Sequence, residues 1–409
     1  MNKAVNRYTA LIACSLATLS TGVHYVWSIL QTRVMDYFSV SSSDASLTFY
    51  LFIAINVSGI IIGGRIRDRI GIRIPVLVGA AIYVSGLILS SFVPQTSFWL
   101  LYITYSGMVS FGGGLIYTCA IVCAQNWWPE KRGFASGLVV CMLGASTVIL
   151  TPIINTLVSE QSLGLMATFR ALGIGFFLLL AIAYPFMREP EGQRAKAPQP
   201  TQTPTTRDAT MRLLKDRSYY LLLFCLMIAP FAYYTINPLM KILGISRGLS
   251  ESGVVSMVMA TGFASAAGRL LFGKACDHIG SRRAMALILG ISLTCILLLS
   301  FARGIFFYAL VILLTTAYGG TAGITPVLAV DYYGSENTGT TFGMLMIAVL
   351  ISSLGSSAVI RAIASPEGDL TLWNFILPGI LAAIAAVVAH FNRPAAERES
   401  RNENSRVKD

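Results

Sequence analysis

The sequence predicts an all-α membrane protein with twelve transmembrane helices in two pseudo-symmetric six-helix bundles. Three observations lead to this fold class: a low share of charged residues, twelve apolar stretches and a loop motif that occurs twice. Of the 409 residues, 55% are hydrophobic and 12% are charged, whereas an ordinary soluble domain has about 25% charged residues. Long apolar runs without period-two alternation span a bilayer as helices, not as a barrel.

Each apolar stretch is long enough for one span of about 20 residues. The first set predicts spans at residues 8–30, 46–63, 74–92, 97–122, 135–157 and 167–187. The second set predicts spans at residues 218–240, 251–272, 284–302, 305–329, 340–363 and 371–391.

Polar segments between and after these sets predict the domain boundaries. Residues 188–217 are rich in Pro, Thr and charge, which is typical of a flexible linker. Residues 392–409 are polar enough to form a disordered tail. We therefore predict an N-terminal bundle at 1–187, a cytoplasmic linker at 188–217, a C-terminal bundle at 218–391 and a cytoplasmic tail at 392–409.

The positive charges predict the orientation. Most of the 30 Lys and Arg residues fall in loops on the side that carries both termini, and such loops stay in the cytoplasm. The opposite side carries Arg33, Lys241, Arg247, Arg303 and Arg361. Arg170 and Arg269 fall within spans, Arg170 at the outer rim as an interfacial anchor. We expect a multi-pass protein of the bacterial cytoplasmic (inner) membrane with both termini cytoplasmic.

The same charge bias accounts for the net charge of +11, so we predict membrane lipids as neighbours and no nucleic-acid partner. The seven cysteines are scattered, without a CxxC pair or matching histidines, which predicts free, packed thiols and no metal site. The first apolar run has no small-residue cleavage site and is interpreted as a retained span.

A glycine-containing loop motif occurs once in each set of spans. Gly64, Asp68 and Gly71 stand between spans two and three, with Arg73 close behind. The pattern recurs 209 residues later, between spans eight and nine, as Gly273, Asp277 and Gly280. The chain therefore consists of two related halves, and in duplicated secondary transporters the substrate site lies between the halves.

The motif predicts a conformational latch. We expect Gly64 and Gly71 to permit close helix approach and a tight turn, and Asp68 to cap the next helix and to pair with Arg73. The alternative is a solvated charged turn, which explains two equally spaced copies poorly.

This motif, present twice in a chain of six plus six spans, resembles the major facilitator superfamily over essentially the whole length. Three further segments are TGVHYVW at 21–27, GGGLIYTCAIVCAQNWWPEKRGFASG at 112–137 and AAGRLLFG at 266–273. Together they resemble the oxalate:formate antiporter family and, more distantly, the monocarboxylate transporters. The resemblance implies a transporter without catalytic residues or cofactors, in which a span-eight arginine, here Arg269, binds the substrate carboxylate.

The residues themselves support the same role for Arg269. An arginine inside a span costs a few kcal/mol and normally marks a pathway or a partner. All 19 Asp and Glu residues map to loops, tails or span ends, so an arriving carboxylate is a natural partner for two parallel guanidinium hydrogen bonds. The alternative is snorkelling, because Arg269 stands four residues before Gly273 and the basic loop.

Aromatic residues at family-matching positions are predicted to line the cavity: Tyr25, Tyr117 and Tyr318. Each alone is equally well explained as a packing or interface tyrosine. His24 stands beside Tyr25, where oxalate-type relatives have a neutral amide. Because imidazole titrates near neutral pH, His24 is a candidate for proton coupling, with a hydrogen-bonding core histidine as the alternative.

Departures from the family pattern bear on the substrate. Val349 replaces a span-eleven lysine of the oxalate exchanger, which implies one cationic contact and a monoanion such as pyruvate, lactate or formate. Ala322 and Met346 replace aromatic residues, which implies a pocket for a substrate larger than formate.

The sequence therefore predicts a monomeric secondary transporter for a small monocarboxylate, working by alternating access as proton symport or anion exchange. No nucleotide-binding GxxxxGK[ST] loop is present, so ATP is not the driver. The alternatives are an oxalate or other dicarboxylate exchanger, a cation or drug exporter of the same fold, and a membrane metabolite sensor that does not transport. The exporter usually needs acidic residues within the spans, which this chain lacks.

Overall fold

The computed structural model describes residues 5–128, 132–159, 163–190, 211, 213–333, 338–363 and 372–392. Within these ranges, twelve helical segments are long and apolar enough to cross a membrane. The predicted all-α fold class with twelve spans is thereby confirmed.

The helices of the first six spans follow the predicted order. They are Arg7–Thr21, Gly22–Val26 and Trp27–Phe38 (span one); Ser42–Ile70 (two); Arg73–Ser90 (three); Trp99–Leu101, Tyr102–Val109 and Ser110–Trp127 (four); Arg132–Leu157 (five); and Gly164–Ala183 with Tyr184–Phe186 (six).

The second six spans begin after the predicted linker. They are Arg217–Ile228, Phe231–Ile236, Asn237–Leu239 and Met240–Ser246 (seven); Glu251–Ile279 (eight); Ser281–Leu299 (nine); Gly304–Tyr333 (ten); Thr338–Ile363 (eleven); and Trp373–Phe391 (twelve).

Polar residues immediately before apolar runs determine where several spans start. The Asn6 side chain accepts hydrogen bonds from the first backbone N–H groups of span one, Ser41 does so for span two, and Asp216 for span seven. Each cap satisfies N–H groups that have no partner within the helix.

Both halves begin with an interrupted span. A 3₁₀ segment at Gly22–Val26 breaks span one, and a second at Asn237–Leu239 breaks span seven. Both spans continue beyond the break, so they run past the predicted ends at residues 30 and 240. The prediction that Lys241 lies in an outer loop is wrong, because this lysine follows the break inside span seven and is buried.

Contacts divide the chain into two compact units. Unit 1 comprises Met1–Gln199 and Asn237–Ala266, and unit 2 comprises Pro200–Ile236 and Ala267–Asp409. The predicted linker at 188–217 and the tail at 392–409 lie mostly outside the described residues. The domain boundaries therefore stay a prediction.

Unit 1 is built around the crossing of spans two and four. A methyl group added to Gly114 would lie 2.5 Å from the carbonyl oxygen of Asn56 and 2.8 Å from the backbone nitrogen of Ile60. Ser106 and Ser110 of span four donate hydrogen bonds to span-two carbonyls. Glycine and serine thus allow the two backbones to approach closely, as is common between membrane helices.

Unit 2 has its apolar core among spans seven and nine to twelve, joined by Phe272 and Cys276 of span eight. At one end, Tyr332 of span ten donates a hydrogen bond of 2.8 Å to the carbonyl of Asn392, and the Asn392 amide donates to the Ser218 carbonyl at 3.2 Å. These bonds join the ends of spans seven, ten and twelve.

The corresponding end of unit 1 uses indole groups. Trp127 donates a hydrogen bond of 2.6 Å to the carbonyl of Arg188, and Trp128 donates one of 3.2 Å to the carbonyl of Arg7. The tryptophan pair therefore connects the end of span four with spans one and six.

Candidate functional site

Arg269 lies where span eight crosses span ten at close range. A methyl group added to Gly268 would overlap the backbone of Thr316, and one added to Gly323 would lie 3.0 Å from the Cα atom of Arg269. Only glycine permits this approach. The crossing therefore holds the backbone of Arg269 against span ten.

The Arg269 guanidinium is largely withdrawn from solvent. The side chain is half-buried, and its Nε and Nη1 atoms are inaccessible to water. In such a setting a planar guanidinium suits a carboxylate, because two parallel N–H groups match the two oxygens.

Tyr318 belongs to a cluster of three tyrosines in unit 2, which we call the tyrosine cluster. Its ring stacks on Tyr233, with centroids 3.9 Å apart and planes 12° apart, and meets the ring of Tyr234 edge-on at 5.6 Å. All three residues are buried. The cluster fixes Tyr318 of span ten against span seven.

His24 and Tyr25 both lie in the 3₁₀ break of span one. Their rings are 4.1 Å apart, and the His24 ring stacks on Phe52 at 5.1 Å. The Nδ1 atom of His24 lies 3.2 Å from the carbonyl oxygen of Thr21. The break thus places a hydrogen-bonded histidine among aromatic rings inside unit 1.

Tyr117 is half-buried in span four of unit 1. The predicted binding residues therefore form two described groups. His24 and Tyr25 touch each other in unit 1, and Arg269 and Tyr318 lie on adjacent spans of unit 2. Their joint role in binding stays a prediction.

The two loop motifs share their backbone turns. Gly71 and Gly280 have φ angles of 84° and 83°, which favour glycine, so the predicted tight turns are present. The expected close approach at Gly64 is wrong for this structure, because neither Gly64 nor Gly273 has an atom within 4 Å of an added methyl group.

Close approach in this region occurs one residue earlier, at Gly63. A methyl group there would lie 2.8 Å from the Thr118 side chain. The side chains of Asp68 and Asp277 lie outside the described residues, so their predicted capping and pairing stay predictions. The guanidinium of Arg73 lies 5.6 Å from the Tyr184 ring centroid.

Sequence reasoning missed three buried residues: Tyr233, Tyr234 and Lys241. The signal for the tyrosines was their adjacency inside an apolar run. Lys241 was overlooked because a charge that follows an apolar run indicates a span end. The described residues contain no group of three or more His, Cys, Asp or Glu side chains placed to hold a metal ion.

Known proteins are similar to this chain over most of its length. The sequence profile of the Major Facilitator Superfamily matches residues 10–357. The oxalate:formate antiporter of Oxalobacter formigenes is 25% identical over 411 residues, covering 96% of this chain and 93% of the antiporter. Monocarboxylate transporter 12 of Xenopus laevis is 22% identical, covering 90% of this chain and 85% of that protein.

Among solved structures, the xylose transporter XylE from E. coli, in a partially occluded inward open conformation, superposes with a TM-score of 0.69 at 13% identity. The match covers 93% of this chain and 98% of XylE. At this identity the likeness shows the fold alone. Together with the profile match, it shows that the chain belongs to the Major Facilitator Superfamily and is a multi-pass membrane transporter, not an enzyme.

Proposed function

We propose that this chain is a secondary transporter that moves a small monocarboxylate, of the pyruvate, lactate or formate type, across the bacterial cytoplasmic membrane by alternating access. The observation that carries the proposal is the position of Arg269 in the internal repeat. Arg269 stands 209 residues after Ile60, at the same helix crossing in the other half of the chain.

Ile60 shows which residue type the packing at this crossing accepts. In unit 1, spans two and four cross closely at Gly59 and Gly114 with an isoleucine at this position. The crossing therefore requires no cation. A charge that the packing does not need, placed where it costs free energy, supports a role in binding an anion.

Residues of the same unit and the relatives support a carboxylate as that anion. The tyrosine cluster of unit 2 combines apolar rings with hydroxyl groups, which suits a short carbon chain with a polar head. The names of the relatives, an oxalate:formate antiporter and several monocarboxylate transporters, also describe carriers of small organic anions.

Substrate binding contributes to transport only through different affinities for the two states of the carrier. In this proposal the anion stabilises an occluded state, and the loops at Gly71 and Gly280 influence the switch between states. Charge compensation comes from a proton, with His24 as the candidate carrier, or from exchange against a second anion. Both termini face the cytoplasm, and the carrier works as a monomer surrounded by lipid.

The test is uptake of labelled pyruvate, lactate, formate and oxalate into proteoliposomes containing the wild-type protein, Arg269→Lys or Arg269→Ala. We expect the wild type to prefer monocarboxylates and both variants to lose at least about tenfold in uptake, because lysine keeps the charge but loses the paired donors. Uptake with a pH gradient, compared with uptake driven by an internal counter-anion, distinguishes symport from exchange.

The matched control is Arg170→Lys, an exposed arginine of span six that hydrogen-bonds Ser91 and lies over the Phe92 ring. It should transport normally. Near-normal uptake by monodisperse Arg269→Ala would overturn the proposal and favour snorkelling of Arg269.

A further inference from the structure

Arg7, the first residue of span one, contacts two aromatic rings of unit 1. Its guanidinium carbon lies 4.8 Å from the ring centroid of Trp128 and 5.0 Å from that of Tyr8. Its Nη2 atom donates a hydrogen bond of 3.2 Å to the Tyr8 hydroxyl, and the two rings meet edge-on at 5.3 Å. We call these three residues the arginine–aromatic patch.

The patch is attached to the end of unit 1 and exposed on its outer side. The Trp128 indole N–H donates a hydrogen bond of 3.2 Å to the Arg7 carbonyl, and only 8% of Trp128 is exposed. Arg7 itself is exposed, as is 55% of Tyr8. A buried indole therefore holds an accessible guanidinium in place.

The positive charge of Arg7 has no counter-charge in the part of the chain that the structure describes. Its side chain donates to a neutral hydroxyl, and no described carboxylate lies within ion-pair distance. A guanidinium has five N–H donors in one plane, an arrangement that matches the oxygens of a phosphate group. Contacts with the rings restrict the side chain, so less conformational freedom is lost when an anion binds.

The surface next to the patch is apolar along span one. Ile12 stands one helical turn after Tyr8, about 6 Å further along the helix axis, and is 59% exposed. No charged residue occurs between Arg7 and Arg33. An exposed isoleucine within a span is favourable against acyl chains, and tyrosine and tryptophan are typical of the headgroup level of a bilayer. The order of these residues along span one therefore matches the order of phosphate, interface and acyl chain in a lipid.

We propose that the arginine–aromatic patch binds the headgroup phosphate of an anionic phospholipid, with an acyl chain of the same lipid along Ile12. An anionic lipid supplies the net negative charge that Arg7 lacks among the described residues, whereas a zwitterionic headgroup carries its own cation. The acyl chain distinguishes this ligand from a soluble phosphate, because Ile12 contributes only to binding of the lipid.

The test compares wild-type protein with Arg7→Gln, Arg7→Lys and Ile12→Asn, purified in detergent. The matched control is Arg303→Gln, which removes an exposed arginine between spans nine and ten. Native mass spectrometry measures retention of phosphatidylglycerol and of phosphatidylcholine, and the thermal midpoint is recorded with each lipid, with inorganic phosphate and without additions.

We expect the wild type to retain phosphatidylglycerol in preference to phosphatidylcholine. Arg7→Gln should bind phosphatidylglycerol about fivefold more weakly, which is the effect of one basic residue near anionic lipid. Arg7→Lys should keep part of this affinity, Ile12→Asn should also weaken it, and Arg303→Gln should match the wild type. High salt should reduce the preference, because it screens an exposed charge.

The difference between midpoints with and without lipid separates lipid binding from a purely structural role of Arg7. A lower lipid-free midpoint in Arg7→Gln, with protection by phosphatidylglycerol equal to that of the wild type, would overturn the proposal. Equal retention of the two lipids by the wild type would also overturn it. Protection by inorganic phosphate as strong as that by phosphatidylglycerol would show a site for soluble phosphate instead of a lipid site.

Discussion

In unit 1, span two crosses span four at Gly59 and Gly114, and in unit 2, span eight crosses span ten at Gly268 and Gly323. Each glycine of unit 2 stands 209 residues after its counterpart in unit 1. In all four places an added methyl group would come within van der Waals distance of the facing backbone. The two halves therefore share this packing.

The residue after the first glycine of each crossing differs. It is Ile60 in unit 1 and Arg269 in unit 2. Because the shared crossing accommodates an apolar residue in unit 1, the packing alone does not require the arginine of unit 2. Duplicated architecture thus shows which positions both halves keep for packing, and in the proposed function Arg269 is a position that one half has changed for binding.

The largest effect is expected when Arg269 of unit 2 is replaced by isoleucine, the residue at the matching position of unit 1. Arg269→Ile should fold, since Ile60 occupies the matching crossing, but should lower uptake of carboxylates by about 100-fold, in line with losing a bidentate charged contact of about 3 kcal/mol. Proteoliposome uptake and the thermal midpoint in detergent measure both effects.

The reciprocal variant, Ile60→Arg, completes this experiment. It should not increase uptake, and it should lower the thermal midpoint because it adds a charge to unit 1. Retained uptake in Arg269→Ile would show that the difference between the halves is not functional.

A second experiment tests the shared packing. Gly59→Val and Gly268→Val should each destabilise their unit by about 3 kcal/mol or more, because the facing backbone cannot move aside. The measurement is the thermal midpoint together with the yield of monodisperse protein.

Gly64→Val and Gly273→Val are the matched controls for that experiment. They are also 209 residues apart, and an added methyl group there meets no atom within 4 Å. Because glycine is a poorer helix former than valine, we expect each control to change the free energy of unfolding by about 1 kcal/mol or less. Equal losses in all four variants would mean that close approach is not what the glycines provide.

The smallest expected effect concerns the ends of the two units. Tyr332→Phe should cost about 1 kcal/mol, because it leaves the buried Asn392 carbonyl without this donor. Trp127→Phe should lower the free energy of unfolding by less through the lost hydrogen bond. The bond from Trp127 to the Arg188 carbonyl is exposed, so water can replace it. Thermal midpoints of the two variants decide the order, and a larger loss for Trp127→Phe would contradict this interpretation.

Much of the fold was predictable, because a bilayer imposes strong constraints on a sequence. Twelve apolar runs predict twelve helices, since a backbone in lipid must satisfy its own hydrogen bonds. The ends of spans one and seven were missed for a physical reason. A helix that is interrupted by a 3₁₀ turn and then continues, with a lysine after the break, has the same local pattern as a helix that stops.

The candidate site was predictable only in part. Arg269 stood out because an arginine inside an apolar span is rare. The partners of Tyr318 could not be found in this way, because Tyr233 lies on a span more than 80 residues away and their stacking depends on how the helices pack. The close helix approach occurs at Gly63 and not at Gly64 because of how the helix is rotated about its axis. Two adjacent glycines in a sequence do not reveal this rotation.

By itself the sequence determined the membrane class, the number of spans, the internal repeat and the presence of one arginine within span eight, because each follows from composition or spacing along the chain. The tertiary structure alone decided which glycines lie at helix crossings, which tyrosines stack and that Lys241 is buried. These properties depend on contacts between distant segments, and side-chain burial is determined by the neighbouring helices and not by local hydropathy.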